Sequence, residues 1–258
     1  MPDLEETPPY TWNPLSRFCD RAPDYAKYRP SYPAAAIDII LEGMETQFPI
    51  VADVGAGTGI SSRLLAERGV RVLAIEPNAD MRQAAELNPL VEFREATAEA
   101  TGLSDDSVDL VTCFQSFHWF NPEPTLLEFH RILKPSGRLA AVWNEWDKND
   151  EFTAHYIDMV LEASNLPSNE KYRTTVEYLP SYHLVDIKHH VFPYKQDVDL
   201  TGLIGLTQSQ SIVPRSGSVL QQLISDLQQL YAQYCDQRGM VSLLYSTDVF
   251  LAKPKPYR

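Results

Sequence analysis

The sequence predicts an α/β fold built on a parallel, doubly wound sheet, and three observations favour it. Short apolar runs alternate with helix-like stretches from residue 50 to residue 143. The run at 108–113 is almost continuously apolar, as is typical of a strand buried on both faces. A strand, a glycine-rich loop and a helix follow one another at 50–68. Strands that alternate with helices need crossover connections, which pair the strands in parallel.

The first predicted elements are a helix, a strand, a second helix and a second strand. The N-terminal helix begins near 31–33, and its apolar residues recur at helical spacing: Ile37, Ile40, Leu41 and Met44. Strands are expected at 50–54 and 70–75, with a helix at 60–68 between them. Gly69 suits the left-handed position that ends many helices.

A helix, two strands and another helix follow. The first helix is expected to run from Asn78, a favourable N-cap, to Leu87, and a short strand is expected at 91–94. After the buried strand at 108–113, a helix is expected to begin at 121–122. There asparagine can cap the helix and proline fits its first turn.

Beyond that helix the predicted pattern becomes less regular. The Lys-Pro-Ser-Gly turn at 134–137 is expected to end the helix, and a strand is expected at 138–143. The next predicted helix carries its apolar residues on one face: Phe152, Tyr156, Met159, Val160 and Ala163. The segment 165–182 is expected to be rich in loops, and a strand is expected near 186–194.

A long amphipathic helix and a closing strand are predicted last. The helix carries its apolar residues at helical spacing: Leu220, Leu223, Ile224, Leu227, Tyr231 and Tyr234. The strand is expected at 240–252. We expect this half of the chain to supply the last strands of the same sheet and a helical insertion that covers a substrate.

Composition limits the classes of partner. The 258 residues are 44% hydrophobic and 22% charged, which is ordinary for a globular protein. The formal net charge of −13 repels phosphate backbones and anionic lipids, so neither a nucleic acid nor a membrane is an expected partner. Residues 1–9 are unlike a secretory signal, and the three cysteines are far apart. A cytoplasmic location and no metal site are therefore expected.

The glycine-rich loop is the most informative motif. Asp53 ends an apolar strand, and glycine then occupies every second position: Gly55, Gly57 and Gly59. Such a loop lets a ligand lie against bare backbone, and the helix that opens after it offers free N–H groups. Glu76 ends the next strand, at a spacing that suits a carboxylate binding ribose hydroxyls. The pattern predicts the first half of a nucleoside-binding α/β domain.

The spacing of the glycines also bears on which cofactor is bound. Dinucleotide sites use the pattern G-x-G-x-x-G, whose third glycine lets helix and strand pack closely. Here the third glycine comes one residue early, and Ile60 occupies the position that this pattern needs. Asp53 would repel a pyrophosphate and suits a cationic ligand instead. A nicotinamide-dependent oxidoreductase is therefore the less favoured alternative.

The D-x-G-x-G-x-G pattern at 53–59, together with Glu76, resembles the cofactor site of class I S-adenosylmethionine-dependent methyltransferases. Residues 95–111 resemble the family's adenine-side loop and fourth strand, and 129–139 resemble its next helix, turn and fifth strand. The resemblance covers 50–143, more than a third of the chain.

Residues 25–33 and 115–120 are similar to small-molecule methyltransferases of the type 11 branch, which include relatives of trans-aconitate methyltransferase. The resemblance implies a Rossmann-like, mostly parallel sheet of seven strands with helices on both faces. It also implies that a methyl group is transferred from S-adenosyl-L-methionine to a small-molecule acceptor. A non-catalytic protein that binds this cofactor is an alternative, because its cofactor half would look the same.

The resemblance assigns a set of cofactor-binding residues. They are Tyr28, Arg29, Asp53, Gly55, Ala56, Gly57, Thr58, Gly59, Glu76, Pro77, Asn78, Met81, Thr97, Ala98, Glu99 and Gln115. Within this set, Glu76 would bind the ribose hydroxyls, and Asn78 and Met81 would flank the adenine. Arg29 would pair with the methionine carboxylate, which its guanidinium fork matches, although a solvated surface arginine is an equal alternative.

Two members of that set carry open alternatives. Asp53 is expected to orient the glycine loop or to meet the methionine amino group, or else to be a buried acid satisfied by backbone N–H groups. Thr97 stands where many relatives have aspartate. Its hydroxyl, the nearby Glu99 or the backbone N–H of Ala98 would then have to meet the adenine.

Three residues with aromatic rings are predicted to contact the methyl acceptor or to act on it. His118 follows the buried strand and is expected to act as a general base or to contact the substrate. The alternative is an imidazole that is hydrogen-bonded to backbone. Trp119 and Tyr32 are expected to contact the substrate. A base is needed only if the acceptor must lose a proton.

We expect one domain over 1–258, in three parts. Residues 1–34 form an N-terminal cap over the cofactor, and 35–146 form the cofactor-binding core. Residues 147–258 form the substrate-covering insertion and the last strands of the sheet. The protein is expected to be a monomer or a homodimer.

Overall fold

The computed structural model describes residues 20–44, 46–164 and 184–255. Within them, seven strands form one sheet: β1 Ile50–Val54, β2 Arg71–Ile75, β3 Val91–Arg94, β4 Val108–Phe114, β5 Leu133–Trp146, β6 Leu184–Val198 and β7 Val241–Pro254. The predicted loop-rich segment 165–182 and the first part of the predicted cap lie outside the described residues.

The strand order is β3-β2-β1-β4-β5-β7-β6. β1 pairs in parallel with β2 on one side and with β4 on the other, and the pairs β2–β3 and β4–β5 are also parallel. β7 lies between β5 and β6 and is antiparallel to both. The predicted seven-stranded, mostly parallel and doubly wound sheet is therefore confirmed.

The described α-helices are α1 Ala22–Tyr28, α2 Ala34–Leu41, α3 Ile60–Ala66, α4 Ala79–Gln83, α5 Pro122–Ile132, α6 Glu151–Ser164, α7 Leu200–Gln208 and α8 Ser218–Tyr234. The sequence pattern did not indicate α1, and α3 and α4 are shorter than predicted. Among the described residues, no helix combines the length and apolar character that crossing a membrane requires.

Alternate residues of the central strands face opposite layers of helices. On one face, Val51 of β1 packs in a cluster with Ile37 of α2 and Leu65 of α3. On the other face, the next residue, Ala52, packs in a cluster with Phe129 of α5. This alternation is the two-residue period of a β-strand, and it explains why these strands are apolar throughout.

The C-terminal helices form a separate cluster beside this core. α6 follows β5, whereas α7 and α8 connect β6 to β7. Tyr156 of α6, Leu203 of α7 and Leu227 of α8 are fully buried together. These helices occupy the place of the predicted insertion. The division into an N-terminal cap, core and insertion stays a prediction.

The start of β5 differs from the sequence prediction. Leu133 pairs with Val108, and Arg138 pairs with Leu110, so five steps along β5 match two steps along β4. Extra residues on one strand form a bulge, which keeps the pairing while bending the strand. The Lys-Pro-Ser-Gly segment at 134–137, predicted as a turn, is this bulge.

Candidate functional site

The candidate site lies at the carboxyl edge of the sheet, where β1 separates β2 from β4. The chain runs from β1 to β2 on one side, whereas β4 lies on the other side. Ligands of open α/β sheets bind at such a switch point. The glycine loop 55–59 follows β1, and residues 115–119 follow β4. The prediction that these two strands are neighbours is confirmed.

A cavity opens between these two loops. Its wall includes Tyr25 and Arg29 from the N-terminal segment, Gly55 from the glycine loop, and His118 and Trp119 after β4. The end of β5 and the C-terminal half contribute Trp143, Trp146, Leu206, Gln210, Ile212 and Tyr245. The last four of these residues, Leu206, Gln210, Ile212 and Tyr245, belong to no recognisable motif, so the sequence alone did not indicate them.

No glycine of the loop can be replaced without strain, and Gly55 and Gly57 show the reason. Gly55 and Gly57 have left-handed backbone, with φ of +70° and +57°. A Cβ at Gly55 would lie 2.6 Å from the Cβ of Ser116. A Cβ at Gly57 would lie 3.4 Å from Met81 Cε and 3.8 Å from Tyr25 Cε1, in the gap between these side chains. Gly57 therefore forms the floor of a cradle that a side chain would fill.

Glu76 holds this loop from the end of β2. Its Oε2 accepts the backbone N–H of Gly57, and its Oε1 accepts that of Asn78, both at 2.8 Å. The residue is 8% exposed, and burial raises its pKa despite these bonds. Each carboxylate oxygen has a further lone pair, so Glu76 can also accept a ligand hydroxyl. Asn78 caps α4 through its Oδ1, which accepts the N–H of the buried Met81 at 3.2 Å.

Asp53 is fully buried and bonded to hydroxyl groups. Its Oδ2 accepts Ser61 Oγ at 2.7 Å and Ser62 Oγ at 2.6 Å, and its Oδ1 accepts Thr112 Oγ1 at 2.8 Å. Burial raises its pKa, although the three hydroxyls favour the ionised form. Because Ser61 and Ser62 lie in the first turn of α3, Asp53 ties the helix to β1 and β4. These contacts support the expected role in orienting the glycine loop, and its partners are hydroxyls rather than backbone N–H groups.

His118 lies in a 3₁₀ turn at Phe117–Trp119 and is buried. Its Nδ1 accepts the indole N–H of Trp143 at 3.2 Å. Burial lowers its pKa from 6.5 to about 3, and the charge of Arg29 adds to the shift. The ring is therefore neutral at physiological pH, with its proton on Nε2 and its ring lone pair engaged by Trp143. A neutral imidazole whose lone pair is already engaged is a poor general base.

Arg29, Tyr32 and Gln115 are predicted site residues that line the cavity. The Arg29 guanidinium lies 5.0 Å from the ring centre of Tyr25, and no carboxylate of the described chain segments lies within ion-pair distance of it. Burial holds the pKa of Tyr32 well above its usual value, so its phenol stays protonated. Gln115 has φ of +51°, and its side-chain amide donates to the Asn144 carbonyl at 3.0 Å. Such backbone is costly for a residue other than glycine and clusters at functional sites.

Some predicted residues lie away from the cavity wall. The ring of Tyr28 packs against Gly205 of α7, where an added Cβ would lie 2.2 Å from it. The structure therefore does not support Tyr28 as a cofactor contact. The carbonyl of Pro77 accepts Arg82 Nη1 at 2.8 Å, so this residue helps to shape α4. Thr58 Oγ1 is buried and has no hydrogen-bond partner in the part of the chain that the structure describes.

The predicted adenine-side residues follow β3. Thr97 forms an isolated bridge with Ala100, and Ala98 is buried. Glu99 Oε1 accepts the backbone N–H of Asn121 at 3.1 Å. Asn121 begins α5 without the side-chain cap that the sequence analysis expected. The segment is thereby tied to the start of α5.

Comparisons with known proteins agree with this geometry. Residues 52–141 match a family model described as a methyltransferase domain. An uncharacterized methyltransferase of Schizosaccharomyces pombe is 30% identical over 74% of this chain and 77% of its own length. An uncharacterized methyltransferase of Mycobacterium tuberculosis is 40% identical over 48% of this chain and 50% of its own length. The solved structure of a putative type II methyltransferase from Anaeromyxobacter dehalogenans has a TM-score of 0.72 at 21% identity, covering 89% of this chain and 100% of that one.

Removing one hydroxyl from Asp53 tests its part in the site. We expect Ser62→Ala to lower the free energy of unfolding by about 1.5–3 kcal/mol, the range for a hydrogen bond to a charged group. The measurement is urea denaturation followed by tryptophan fluorescence. Ser104→Ala, at an exposed position, is the control and should change stability by less than about 0.5 kcal/mol. Equal stability of the two variants would contradict the role of Ser62.

Proposed function

This chain belongs to the class I S-adenosylmethionine-dependent methyltransferases, in the type 11 branch, and we propose that its acceptor is a small molecule. The carrying observation is the cradle over Gly57, which adjoins a cavity enclosed by aromatic side chains. The net charge of −13 supports this proposal, because it disfavours nucleic-acid acceptors. No relative or neighbour cited above is a nicotinamide-dependent oxidoreductase, so that alternative gains no support.

We assign the residues of the cradle to S-adenosyl-L-methionine. Glu76 would accept the ribose hydroxyls beside its bonds to Gly57 and Asn78. Asn78 and Met81 would flank the adenine. The cofactor would supply a methyl group that is already activated on a sulfonium centre. The residues present fit it, because a carboxylate, bare glycine backbone and a gap between Met81 and Tyr25 meet at one place.

Five further residues complete the assignment. The adenine would meet the segment of Thr97, Ala98 and Glu99. The methionine end would meet Gln115 and Arg29, whose guanidinium has no carboxylate partner among the described residues. A methionine carboxylate would provide that partner, in the planar two-bond geometry that arginine favours.

The chain's contribution to the reaction is to position the two reactants and exclude water. Trp119, Trp146 and Tyr245 give the cavity an aromatic wall. Orientation of this kind contributes about 7–11 kcal/mol in favourable systems. We assign His118 and Tyr32 to the acceptor as neutral hydrogen-bonding groups. His118 would not take a proton, because Trp143 occupies its ring lone pair.

The proposed function is tested by titration and by product formation. We expect calorimetric titration to detect binding of S-adenosylmethionine and S-adenosylhomocysteine but not of NAD. Radiolabelled methyl from the cofactor should then enter low-molecular-weight products in a broad metabolite extract. Tight cofactor binding without any methylated product would favour the non-catalytic alternative. Binding of NAD alone would refute the cofactor assignment.

Gly57→Val should abolish detectable cofactor binding. The new side chain would fill the gap between Met81 and Tyr25, and φ of +57° is a conformation that a β-branched residue adopts only under strain. Titration with S-adenosylhomocysteine measures the effect. Gly43→Val is the control, because Gly43 has φ of +69° but nothing within 4 Å of an added Cβ. An affinity equal to that of the control would refute the loop assignment.

Glu76→Ala should weaken S-adenosylhomocysteine binding by about 1.5–3 kcal/mol, since a charged hydrogen-bonding partner is lost. Glu86→Ala removes a carboxylate that is 80% exposed and should leave the affinity unchanged. Both variants are measured by calorimetric titration under the same conditions. A Glu76→Ala affinity within error of the control would remove Glu76 from the site.

The His118 imidazole should not titrate between pH 5 and pH 8, because burial lowers its pKa from 6.5 to about 3. The folded state therefore loses stability as the pH falls from 6.5 towards 3, where only the unfolded chain binds the proton. Proton NMR of the imidazole C–H groups measures the titration, and His118→Asn assigns the signal. A midpoint between pH 6 and pH 7 for that signal would contradict the neutral assignment.

A further inference from the structure

Arg21, the residue before α1, is buried beneath the loop that follows α7. It is 5% exposed, although arginine is seldom buried without a partner. Its Nη1 donates to the Gln208 carbonyl at 2.8 Å and also to the Gln210 carbonyl, and its Nη2 donates to the Val213 carbonyl at 2.7 Å. We call residues 208–213 the roof loop. The Arg21 guanidinium thus donates hydrogen bonds to three carbonyl groups of the roof loop.

The contacts explain why this position uses arginine. Gln208 is the last residue of α7, so the cation lies at the negative end of a helix and binds one carbonyl, that of Gln208, from the last turn, where helix carbonyls lack helical partners. The rigid fork of a guanidinium can meet several carbonyls at once, which an ammonium group cannot do in the same geometry. Among the described residues, Arg21 also pairs with the carboxylate of Asp20, at 3.9 Å, and that side chain is 62% exposed. The contacts with the Gln208 and Val213 carbonyls, at 2.8 Å and 2.7 Å, are shorter than this ion pair.

The two segments that Arg21 joins both line the cavity. Tyr25 of α1 lies over Gly57 of the glycine loop, and Arg29 follows directly after α1. Gln210 and Ile212 of the roof loop line the same cavity. The roof loop is also held to α6, because Gln210 Nε2 donates to the Tyr156 hydroxyl at 2.7 Å.

We propose that Arg21 is a positioning residue that holds α1 and the roof loop together as one cover over the cofactor and acceptor cavity. Arg21 is not among the described residues that line the cavity. Its effect on binding comes from the fraction of molecules in which the cover is assembled, because apparent affinity falls in proportion to that fraction. The identity of the ligand rests on the proposed function, whereas the assembly of the cover does not depend on it.

Affinity for S-adenosylhomocysteine tests the inference in two Arg21 variants. If the cover is assembled in about one molecule in ten of Arg21→Gln, its Kd rises about tenfold. Arg21→Lys keeps the charge but loses the fork, and we expect a rise of about threefold. Arg215→Gln is the matched control, because Arg215 pairs with the exposed Asp20 at 2.7 Å beside the same loop. Its Kd should stay within about twofold of wild type.

Amide hydrogen exchange separates this role from a general loss of stability. In Arg21→Gln, the amides of the roof loop should exchange faster while those of β1 and β4 keep their wild-type rates. Hydrogen exchange needs no ligand, so it tests the assembly of the cover independently of binding. If the wild-type protein did not bind S-adenosylhomocysteine, that result would refute the proposed function and not the assembly of the cover. A folded Arg21→Gln variant with wild-type exchange in the roof loop would overturn the inference. Failure of both Arg21 variants to fold would also overturn it, because Arg21 would then be a determinant of the fold.

Discussion

The hydrogen bond from the Gly57 backbone N–H to Glu76 is the contact on which the cofactor half of the site depends. Left-handed glycine backbone costs more conformational entropy than other backbone, so the loop needs a fixed partner to hold one shape. Glu76 supplies it from the neighbouring strand and is itself buried, which raises its pKa. Further donors to its oxygens stabilise the ionised form. The hydroxyl groups of a ligand would therefore stabilise the ionised form of the same carboxylate that shapes the loop.

The proposed acceptor side of the cavity carries neutral groups as well as the Glu145 carboxylate. The His118 imidazole stays uncharged, and burial raises the pKa of the Tyr245 phenol beyond its usual range. In the proposed assignment Arg29 pairs with the methionine carboxylate, and its charge lies close enough to His118 to lower the pKa of that imidazole further. In a methyl transfer the sulfonium charge disperses, and neutral aromatic faces accommodate a cation without competing hydrogen bonds.

The sequence was sufficient to predict the sheet and the glycine loop, because both follow from residue patterns that are local in the chain. Strands at 50–54 and 91–94 match their predicted bounds, and Asn78 caps α4 as its residue type indicates. The bulge at the start of β5 was missed because proline and glycine suggest a turn whether or not the chain keeps its pairing. The roles of Trp143 and Gln210 were missed because they depend on contacts between residues far apart in the chain. No local pattern shows that the indole of Trp143 occupies the lone pair of His118.

The reversal of β7 explains why the C-terminal half covers the site. Trp146 at the end of β5 pairs with Tyr245 near the start of β7, so the first residues of β7 lie at the carboxyl edge of the parallel strands. β6 is antiparallel to β7, and its last residue, Val198, pairs with Val241 at that same edge. The connection between β6 and β7 must therefore begin and end beside the cavity. This connection consists of α7, the roof loop and α8. The strand order itself therefore places these helices beside the proposed cofactor site at the carboxyl edge of the sheet. In our proposal, Arg21 then fixes the roof loop to α1.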